Sequence, residues 1–202
     1  MKKTIDLNGN LIEFEVFKLN IIENNIENVF FGNSKKLRYY LEKASNNKKS
    51  RLNKLAEIHK ERYKEYLDRS LGEFILALKN KGLHDYKLYL NKYGDEKYCF
   101  FELDVFQNEK GIYCYIVDDT IKYIGRSRKN FKARINEYGK ITSYNCLVDG
   151  QATNCNINSK INSIKEVYIG IHTMTNKSDI EIENLERTIL QNIKLEWNIK
   201  KC

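Results

Sequence analysis

The feature that most constrains the fold is a short segment, residues 111–125, in which two β-rich runs flank a tight turn. The first run is Gly111–Val117, with the sequence GIYCYIV, and the second is Ile121–Gly125, with the sequence IKYIG. Aromatic and β-branched side chains favour strands, and the intervening Asp118-Asp119 pair favours a turn. The segment therefore predicts a β-hairpin that brings the tripeptides Gly-Ile-Tyr and Tyr-Ile-Gly side by side.

The rest of the C-terminal half predicts one more strand and two helices. Residues 130–138 have a helical pattern that Gly139 ends, residues 166–171 are a third β-rich run, and residues 179–195 have a second helical pattern. We therefore expect an α+β fold over residues 106–202, with a small three-stranded antiparallel sheet flanked by helices.

Residues 1–105 predict a mainly helical region led by a β-hairpin. The hairpin spans residues 1–18 and turns at Asn8-Gly9, because both residue types tolerate positive φ. Between residues 21 and 93, apolar and aromatic side chains recur at helical steps. The members of this stripe are Leu52, Leu55, His59, Tyr63, Tyr66, Leu71, Phe74 and Leu78. We interpret its aromatic residues as core rather than as exposed stacking platforms.

Positive charge exceeds negative charge and is concentrated in two segments. The chain has 35 Lys and Arg residues against 27 Asp and Glu residues, a net charge of +8. Residues 33–69 hold 12 basic and 5 acidic side chains, and residues 122–165 hold 9 and 2. Residues 166–186 instead hold five carboxylates and one lysine. This distribution fits a polyanionic partner together with a divalent cation, although solvated helix faces explain the first segment equally well.

Several classes of protein are disfavoured by what the sequence lacks. No apolar run approaches the roughly 18–20 residues that span a bilayer, and the N-terminus has no apolar signal-peptide core. Five cysteines without a Cys-x-x-Cys spacing favour reduced thiols over a disulfide framework or a zinc site. We therefore expect a cytoplasmic protein with no membrane partner.

The paired tripeptides resemble the signature of the GIY-YIG nuclease superfamily. In the expected order, a helix with Arg134, and with Tyr138 one turn later, follows the second strand. A helix with Glu186 follows the third strand, and its Glu-x-x-Ile-Leu segment and the downstream Asn198 resemble the family's metal-binding segment. The resemblance covers residues 108–200, and it is greatest to the restriction-endonuclease branch.

The resemblance implies Mg²⁺-dependent hydrolysis of DNA phosphodiester bonds, with another divalent cation such as Mn²⁺ as a substitute. Glu186 would bind the cation, because Mg²⁺ prefers oxygen ligands and keeps several waters. Arg134 would bind the scissile phosphate through its forked guanidinium. Tyr113 would be the general base, with its pKa lowered by Arg126, Arg128 and Arg134.

Further residues would support this chemistry. Tyr123 and Tyr138 would hydrogen-bond the attacking water or the phosphate oxygens, and Asn198 would orient the helix that carries Glu186. Arg126 stands where some repair nucleases of the family have a lysine, which keeps the charge but changes the donor geometry. The expected catalytic residues are therefore Tyr113, Tyr123, Arg126, Arg134, Tyr138, Glu186 and Asn198.

We expect the partner to be double-stranded DNA. Two parts of the chain would contact the DNA. One is residues 1–105, a region for DNA binding or dimerisation, and the other is a polar loop from Lys140 to Lys165. The candidate DNA-binding side chains are Arg128, Lys129, Lys132, Lys140, Gln151 and Asn154. Because a restriction enzyme cuts both strands with one active site per domain, we expect a homodimer, and also a companion methyltransferase.

Two other functions remain open for this sequence. One is a structure-directed or mobile-element nuclease with low sequence specificity on the same scaffold. The other is a catalytically idle DNA-binding module. The complete set of Tyr113, Arg134 and Glu186 favours an active enzyme over the idle module.

Overall fold

The computed structural model describes residues 1–7 and 9–198, so Asn8 of the first predicted turn and Cys202 lie outside the described residues. The strands are β1 (Lys2–Leu7), β2 (Asn10–Lys18), β3 (Ile21–Ile26), β4 (Tyr98–Phe101), β5 (Gly111–Val117), β6 (Thr120–Ser127) and β7 (Tyr168–Thr173). The α-helices are α1 (Leu37–Ser45), α2 (Ala56–Arg62), α3 (Leu71–Asn80), α4 (Phe131–Gly139), α5 (Ser143–Cys146), α6 (Ala152–Asn162) and α7 (Asp179–Asn192).

The main sheet has five antiparallel strands in the order β1-β2-β7-β5-β6, so the expected three-stranded sheet is wrong, although the α+β class is confirmed. The three predicted strands are present as β5, β6 and β7. The two additional strands are the N-terminal hairpin, because β2 pairs with β7 through residues such as Glu15 and Ile171. The hairpin thus extends the sheet instead of leading a helical region.

The chain forms two compact units, which we call unit 1 and unit 2. Unit 1 combines residues 1–23, residues 100–140 and the chain from residue 163 onward, and unit 2 combines residues 24–99 with residues 141–162. These units differ from the division expected at residue 105. The difference arises because the N-terminal hairpin joins the main sheet, while residues 141–162 pack on the helical core of unit 2.

Unit 1 packs different layers on the two faces of the β5–β6 strand pair. On one face, Ile112, Cys114 and Ile124 are buried with Ile182 and Ile189 of α7. On the other face, the tyrosines of β5 and β6 contact α4, which begins with an Asn130 side-chain cap. Because side chains alternate along a strand, each face receives its own set of residues.

Unit 2 has a helical core built around Phe74, and the predicted apolar stripe belongs to it. Leu55 is half-buried and the other members are buried, which confirms their interpretation as core. The stripe spans several short helices rather than one long helix. One of them, α3, begins with a capping box in which Ser70 and Glu73 exchange hydrogen bonds.

Two parts of the predicted secondary structure are wrong. Residues 21–26 form β3, which pairs with β4 in a two-stranded sheet, instead of starting a helix. The predicted polar loop from Lys140 to Lys165 contains α5 and α6. The pattern hid α6 because asparagines occupy much of its buried face. Asn158, for example, exchanges two hydrogen bonds of 2.8 Å with the backbone of Cys99.

Candidate active site

The β5–β6 hairpin places the two tripeptides in direct register, with Tyr113 opposite Gly125 and Tyr115 opposite Tyr123. Asp118 and Asp119 form the predicted turn, and both have positive φ. A side chain at position 125 would place its Cβ 2.5 Å from the Tyr113 hydroxyl oxygen, so the Tyr113 ring crosses Gly125. The glycine of the second tripeptide is therefore required by the tyrosine of the first.

The hydroxyl groups of Tyr113, Tyr123 and Tyr138 meet at one point, and we call this group the hydroxyl cluster. Tyr113 Oη donates to Tyr138 Oη at 3.0 Å, and Tyr123 Oη lies 3.0 Å from the same oxygen. Two of the tyrosines come from the hairpin and the third from α4, so the cluster depends on the contact between strand pair and helix. The three expected tyrosines are therefore brought together.

Arg134 borders the hydroxyl cluster and connects it to solvent. Its Nη2 donates to Tyr138 Oη, its Nη1 donates to Glu137, and the guanidinium lies 4.3 Å from the Tyr138 ring centroid. The Arg134 side chain is 29% exposed, whereas Tyr113 is fully buried and Tyr123 is 8% exposed. The guanidinium can therefore bind an anion from solvent while it touches the buried hydroxyls.

The expected lowering of the Tyr113 pKa is wrong. Burial raises the pKa of Tyr113 well above its ordinary value of 10, and the neighbouring Tyr138 and Tyr123 raise it further. The charge of Arg134 acts in the opposite direction but does not offset the burial. Burial likewise raises the pKa of Tyr123. Both phenols are therefore neutral near pH 7 and act as hydrogen-bond donors or acceptors.

A second group, which we call the ion cluster, comprises Arg126, Arg128, Glu183 and Glu186. Arg126 Nη1 donates to Glu186 Oε2, Arg126 Nη2 lies 3.5 Å from Glu183 Oε1, and Arg128 Nη2 donates to Glu183 Oε2. Glu183 was not among the expected residues, although it lies one helical turn before Glu186, and that spacing alone could have indicated it. Arg126 and Arg128 thus pair with carboxylates.

The strand register places the two clusters on opposite faces of β6. Arg126 is opposite Ile112, whose side chain packs with α7, whereas Gly125 is opposite Tyr113 in the hydroxyl cluster. The positions 125 and 126 are consecutive, and β6 is one of the two edge strands of the sheet. Both clusters therefore lie at the same part of β6, one on each of its faces.

Asn198 is a structural residue of the same edge. Its side-chain amide donates to the carbonyl of Ile124 at 2.8 Å, and its Oδ1 accepts from the Ile124 backbone N–H at 2.9 Å. The Trp197 backbone N–H also donates to the Lys122 carbonyl at 2.9 Å. These bonds satisfy the open edge of β6. Asn198 thus holds the strand that carries Tyr123 and Arg126.

The expected DNA-binding residues differ in exposure. Arg128, Lys129, Lys140 and Gln151 are exposed, Lys132 is half-buried, and Asn154 is buried. Asn154 Nδ2 donates to Gln151 Oε1 at 2.7 Å, so its amide is engaged within the fold. Arg128, Lys129, Lys132 and Lys140 belong to unit 1. Gln151 and Asn154 belong to unit 2.

The ion cluster offers a cation the oxygens of only two carboxylates, Glu183 and Glu186. Within residues 1–7 and 9–198, no group of three or more His, Cys, Asp or Glu side chains is placed to hold a metal ion. A single carboxylate, completed by phosphate oxygens and water, is nevertheless a donor set that Mg²⁺ accepts. Glu186, with its side chain 15% exposed, fits that arrangement.

Comparison of the chain with protein-family models, with curated proteins and with solved structures found no match in any of the three. Along the part of the chain that the structure describes, none of the helices combines the length and apolarity needed to cross a membrane. The four described cysteines, Cys99, Cys114, Cys146 and Cys155, are all buried free thiols.

Proposed function

We propose that this protein is a Mg²⁺-dependent endonuclease of the GIY-YIG type that hydrolyses phosphodiester bonds in double-stranded DNA. The observation that supports this most directly is the hydroxyl cluster beside Arg134. Tyr113, Tyr123 and Tyr138 are the tyrosines that the family resemblance selects, and their hydroxyls meet at one oxygen next to a guanidinium. Hydroxyls buried in a structural core usually bond to backbone groups or water instead.

In this proposal Arg134 binds the scissile phosphate. Its guanidinium presents several N–H donors in one plane, which match two phosphate oxygens and stabilise the charge that grows in the transition state. Because the side chain is 29% exposed, the phosphate reaches it from solvent without unfolding α4. Binding would displace Glu137, whose carboxylate now accepts from Arg134 Nη1.

Tyr113 takes the proton of the attacking water through a relay rather than as a phenolate. Because Tyr113 is fully buried in the free protein, the attacking water has to enter the hydroxyl cluster when the phosphate binds. The water oxygen forms the new bond to phosphorus as the bond from phosphorus to the 3′-oxygen breaks, and the proton of the water passes to Tyr113. Tyr113 releases its own proton to Tyr138, Tyr138 to Tyr123, and Tyr123 to solvent. The 3.0 Å hydroxyl contacts permit each transfer, and Tyr123 is the most exposed of the three. A relay accommodates the raised pKa of Tyr113, since no free phenolate is needed.

Glu186 would hold the divalent cation, Mg²⁺ or Mn²⁺, together with phosphate oxygens and water. The bound cation would neutralise phosphate charge and assist departure of the 3′-oxygen. Arg126 keeps the Glu186 carboxylate paired in the structure. Asn198 fixes β6 between the two clusters.

Sequence-specific cleavage of a palindrome, as by a type II restriction enzyme, is the biological role we propose. It requires a homodimer, because each domain contributes one site. It also requires a companion methyltransferase to protect the host DNA, and a cytoplasmic location where both enzymes meet that DNA.

Digestion of plasmid DNA with Mg²⁺, and with EDTA as the control, tests the proposal. Discrete fragments that disappear with EDTA would support a restriction enzyme. A smear would indicate the structure-directed or mobile-element alternative. DNA binding without cleavage, over a range of Mg²⁺ and Mn²⁺ concentrations, would indicate the idle DNA-binding module and contradict the proposed hydrolysis.

A further inference from the structure

In the ion cluster, the proposed cation ligand Glu186 is already paired with Arg126. The guanidinium uses Nη1 for Glu186 and holds Nη2 at 3.5 Å from Glu183 Oε1. One guanidinium is therefore shared by two carboxylates through different nitrogens. A small rotation of the Arg126 side chain would strengthen one of these contacts at the expense of the other.

The two carboxylates are in different surroundings. The Glu186 side chain is 15% exposed and the Glu183 side chain is 42% exposed. Charges near Glu186 are therefore less screened by solvent, so a divalent cation there is strongly repelled by a guanidinium on the same carboxylate. A cation can occupy Glu186 readily only if Arg126 has another acceptor.

Glu183 is held in the position that such an acceptor needs. Arg128 Nη2 donates to Glu183 Oε2, which leaves Oε1 directed at Arg126. Glu183 and Glu186 are three residues apart on α7, so they lie on the same side of the helix. The arrangement keeps Glu183 next to Arg126 whether or not Glu186 is paired.

We propose that Glu183 is a positioning residue that receives Arg126 when a divalent cation takes the Glu186 carboxylate. This inference rests on the proposed function. The hydrogen bond from Arg126 to Glu186 breaks and the bond to Glu183 shortens, with no change in protonation. Arg126 thereby occupies the Glu186 carboxylate in the free protein. When the cation is bound, Arg126 stays beside Glu186 and is available to bind phosphate.

A double-mutant cycle on cation binding tests the inference. The affinity of the free protein for Mn²⁺ is measured for the wild type, Glu183→Gln, Arg126→Gln and the double variant. We expect Arg126→Gln to tighten Mn²⁺ binding about 5-fold and Glu183→Gln to weaken it about 5-fold. In the Arg126→Gln background, Glu183→Gln should change the affinity by less than about 2-fold.

The cycle separates transfer of Arg126 from simple loss of a nearby negative charge. A charge effect of Glu183 would be the same in both backgrounds, and that result would overturn the inference. Mn²⁺ binding that is undetectable in both the wild type and Arg126→Gln would overturn it too. Glu166→Gln removes a carboxylate of unit 1 that pairs with Lys18, and this control should leave the affinity within about 2-fold.

Cleavage measurements distinguish this inference from the proposed function. Glu183→Gln should raise the Mg²⁺ concentration for half-maximal cleavage about 5-fold, with a smaller change in the maximal rate. A wild type that cleaves DNA with an additive cycle would refute only the transfer of Arg126. A protein that binds Mn²⁺ with the expected cycle and cleaves no DNA would refute the proposed function. If Glu183→Gln melts before the assay temperature, Glu183→Asp keeps the charge, shortens the reach and should weaken Mn²⁺ binding in the same direction.

Discussion

Unit 1 and unit 2 each bury a set of tyrosines, but the hydroxyls are used differently. In unit 1 the hydroxyls of Tyr113 and Tyr123 both meet that of Tyr138. In unit 2 the hydroxyls of Tyr89 and Tyr63 have separate partners: Tyr89 Oη lies 2.6 Å from His59 Nδ1, and Tyr63 donates to Asp85 at 2.5 Å. The rings of unit 2 share Phe74 as their common neighbour instead.

The tyrosine rings of unit 2 pack around one phenylalanine, Phe74, whereas the hydroxyls of Tyr113 and Tyr123 in unit 1 both contact the hydroxyl of Tyr138. Rings packed around Phe74 stabilise a core through buried apolar area, and their hydroxyls only need to be satisfied. Hydroxyls gathered beside a guanidinium add little to packing and are suited to hold a phosphate and move a proton. Substitutions in the hydroxyl cluster of unit 1 should therefore affect rate, and substitutions of the tyrosines around Phe74 in unit 2 should affect stability.

The largest effect on rate is expected from Glu186→Ala. Loss of the carboxylate removes the proposed cation ligand, so cleavage should fall to background while DNA binding stays within a few-fold. Single-turnover cleavage and a binding titration on the same duplex measure both quantities. Glu166→Ala, which removes an exposed carboxylate of the same unit, is the matched control. Cleavage by Glu186→Ala at the wild-type rate in Mg²⁺ would remove Glu186 from the metal site.

DNA affinity should depend steeply on salt. If the two basic segments neutralise about 6–10 phosphates, affinity should fall about 10³–10⁵-fold between 50 and 200 mM salt. Lys129→Gln in unit 1 and Lys48→Gln in unit 2 sharpen the comparison between the units. Each lost phosphate contact should reduce the slope of log affinity against log salt by about 1. A flat salt profile would show that the basic segments do not contact DNA.

Tyr113→Phe should slow cleavage far more than Tyr115→Phe. The two rings share a face of β5, with centroids 6.1 Å apart, and both are fully buried. Only the Tyr113 hydroxyl donates to Tyr138 in the proposed relay, and loss of a positioned proton acceptor typically costs about 10²–10⁴-fold in rate. Tyr115→Phe should change the rate little, because the Tyr115 hydroxyl takes no part in the proposed relay.

Single-turnover cleavage of a short duplex, with affinity measured alongside, makes this test. Equal rates for the two variants would remove the distinction between Tyr113 and Tyr115. A Tyr113→Phe defect that consists entirely of weaker binding would exclude Tyr113 from proton transfer.

The sequence predicted the parts of this site that depend on local pattern. The hairpin at residues 111–125, the helix with Arg134 and the helix with Glu186 are all present, because strand and helix periodicity are short-range signals. The resemblance selected Tyr113, Tyr123 and Tyr138, but the contact between their hydroxyls was not predicted. Pairing of β2 with β7 did not follow, because no local signal specifies which distant strand a hairpin joins.

The charges of the site were harder to predict than its residues. Sequence proximity placed Arg126 and Arg128 near Tyr113, but strand alternation turns Arg126 to the face on which α7 packs. The arginines therefore pair with Glu183 and Glu186, and burial decides the pKa of Tyr113. Which carboxylate an arginine pairs with depends on tertiary packing, and the local sequence does not specify it.

The smallest effect is expected from His59, and it should appear only as stability. His59 is buried among the Tyr63 and Tyr89 rings, and burial lowers its pKa, although Asp85 opposes this shift and Arg62 adds to it. An unfolded chain has its histidine pKa near 6.5. The stability that depends on a neutral His59 is therefore fully present above about pH 6.5 and is lost as the pH falls toward the folded-state pKa.

The loss is at most about 1.4 kcal/mol per pH unit, because one proton is involved. Urea unfolding of the wild type and His59→Gln at pH 5.0 and pH 7.5 measures it, and the variant should show the weaker pH dependence. Tyr89→Phe removes the 2.6 Å partner of His59 and should cost about 1 kcal/mol, with cleavage per folded molecule unchanged. Equal pH dependence in the wild type and His59→Gln would assign the acid sensitivity to other groups. A rate defect in folded Tyr89→Phe would show that the tyrosines of unit 2 also take part in function, and so end the contrast between the two units.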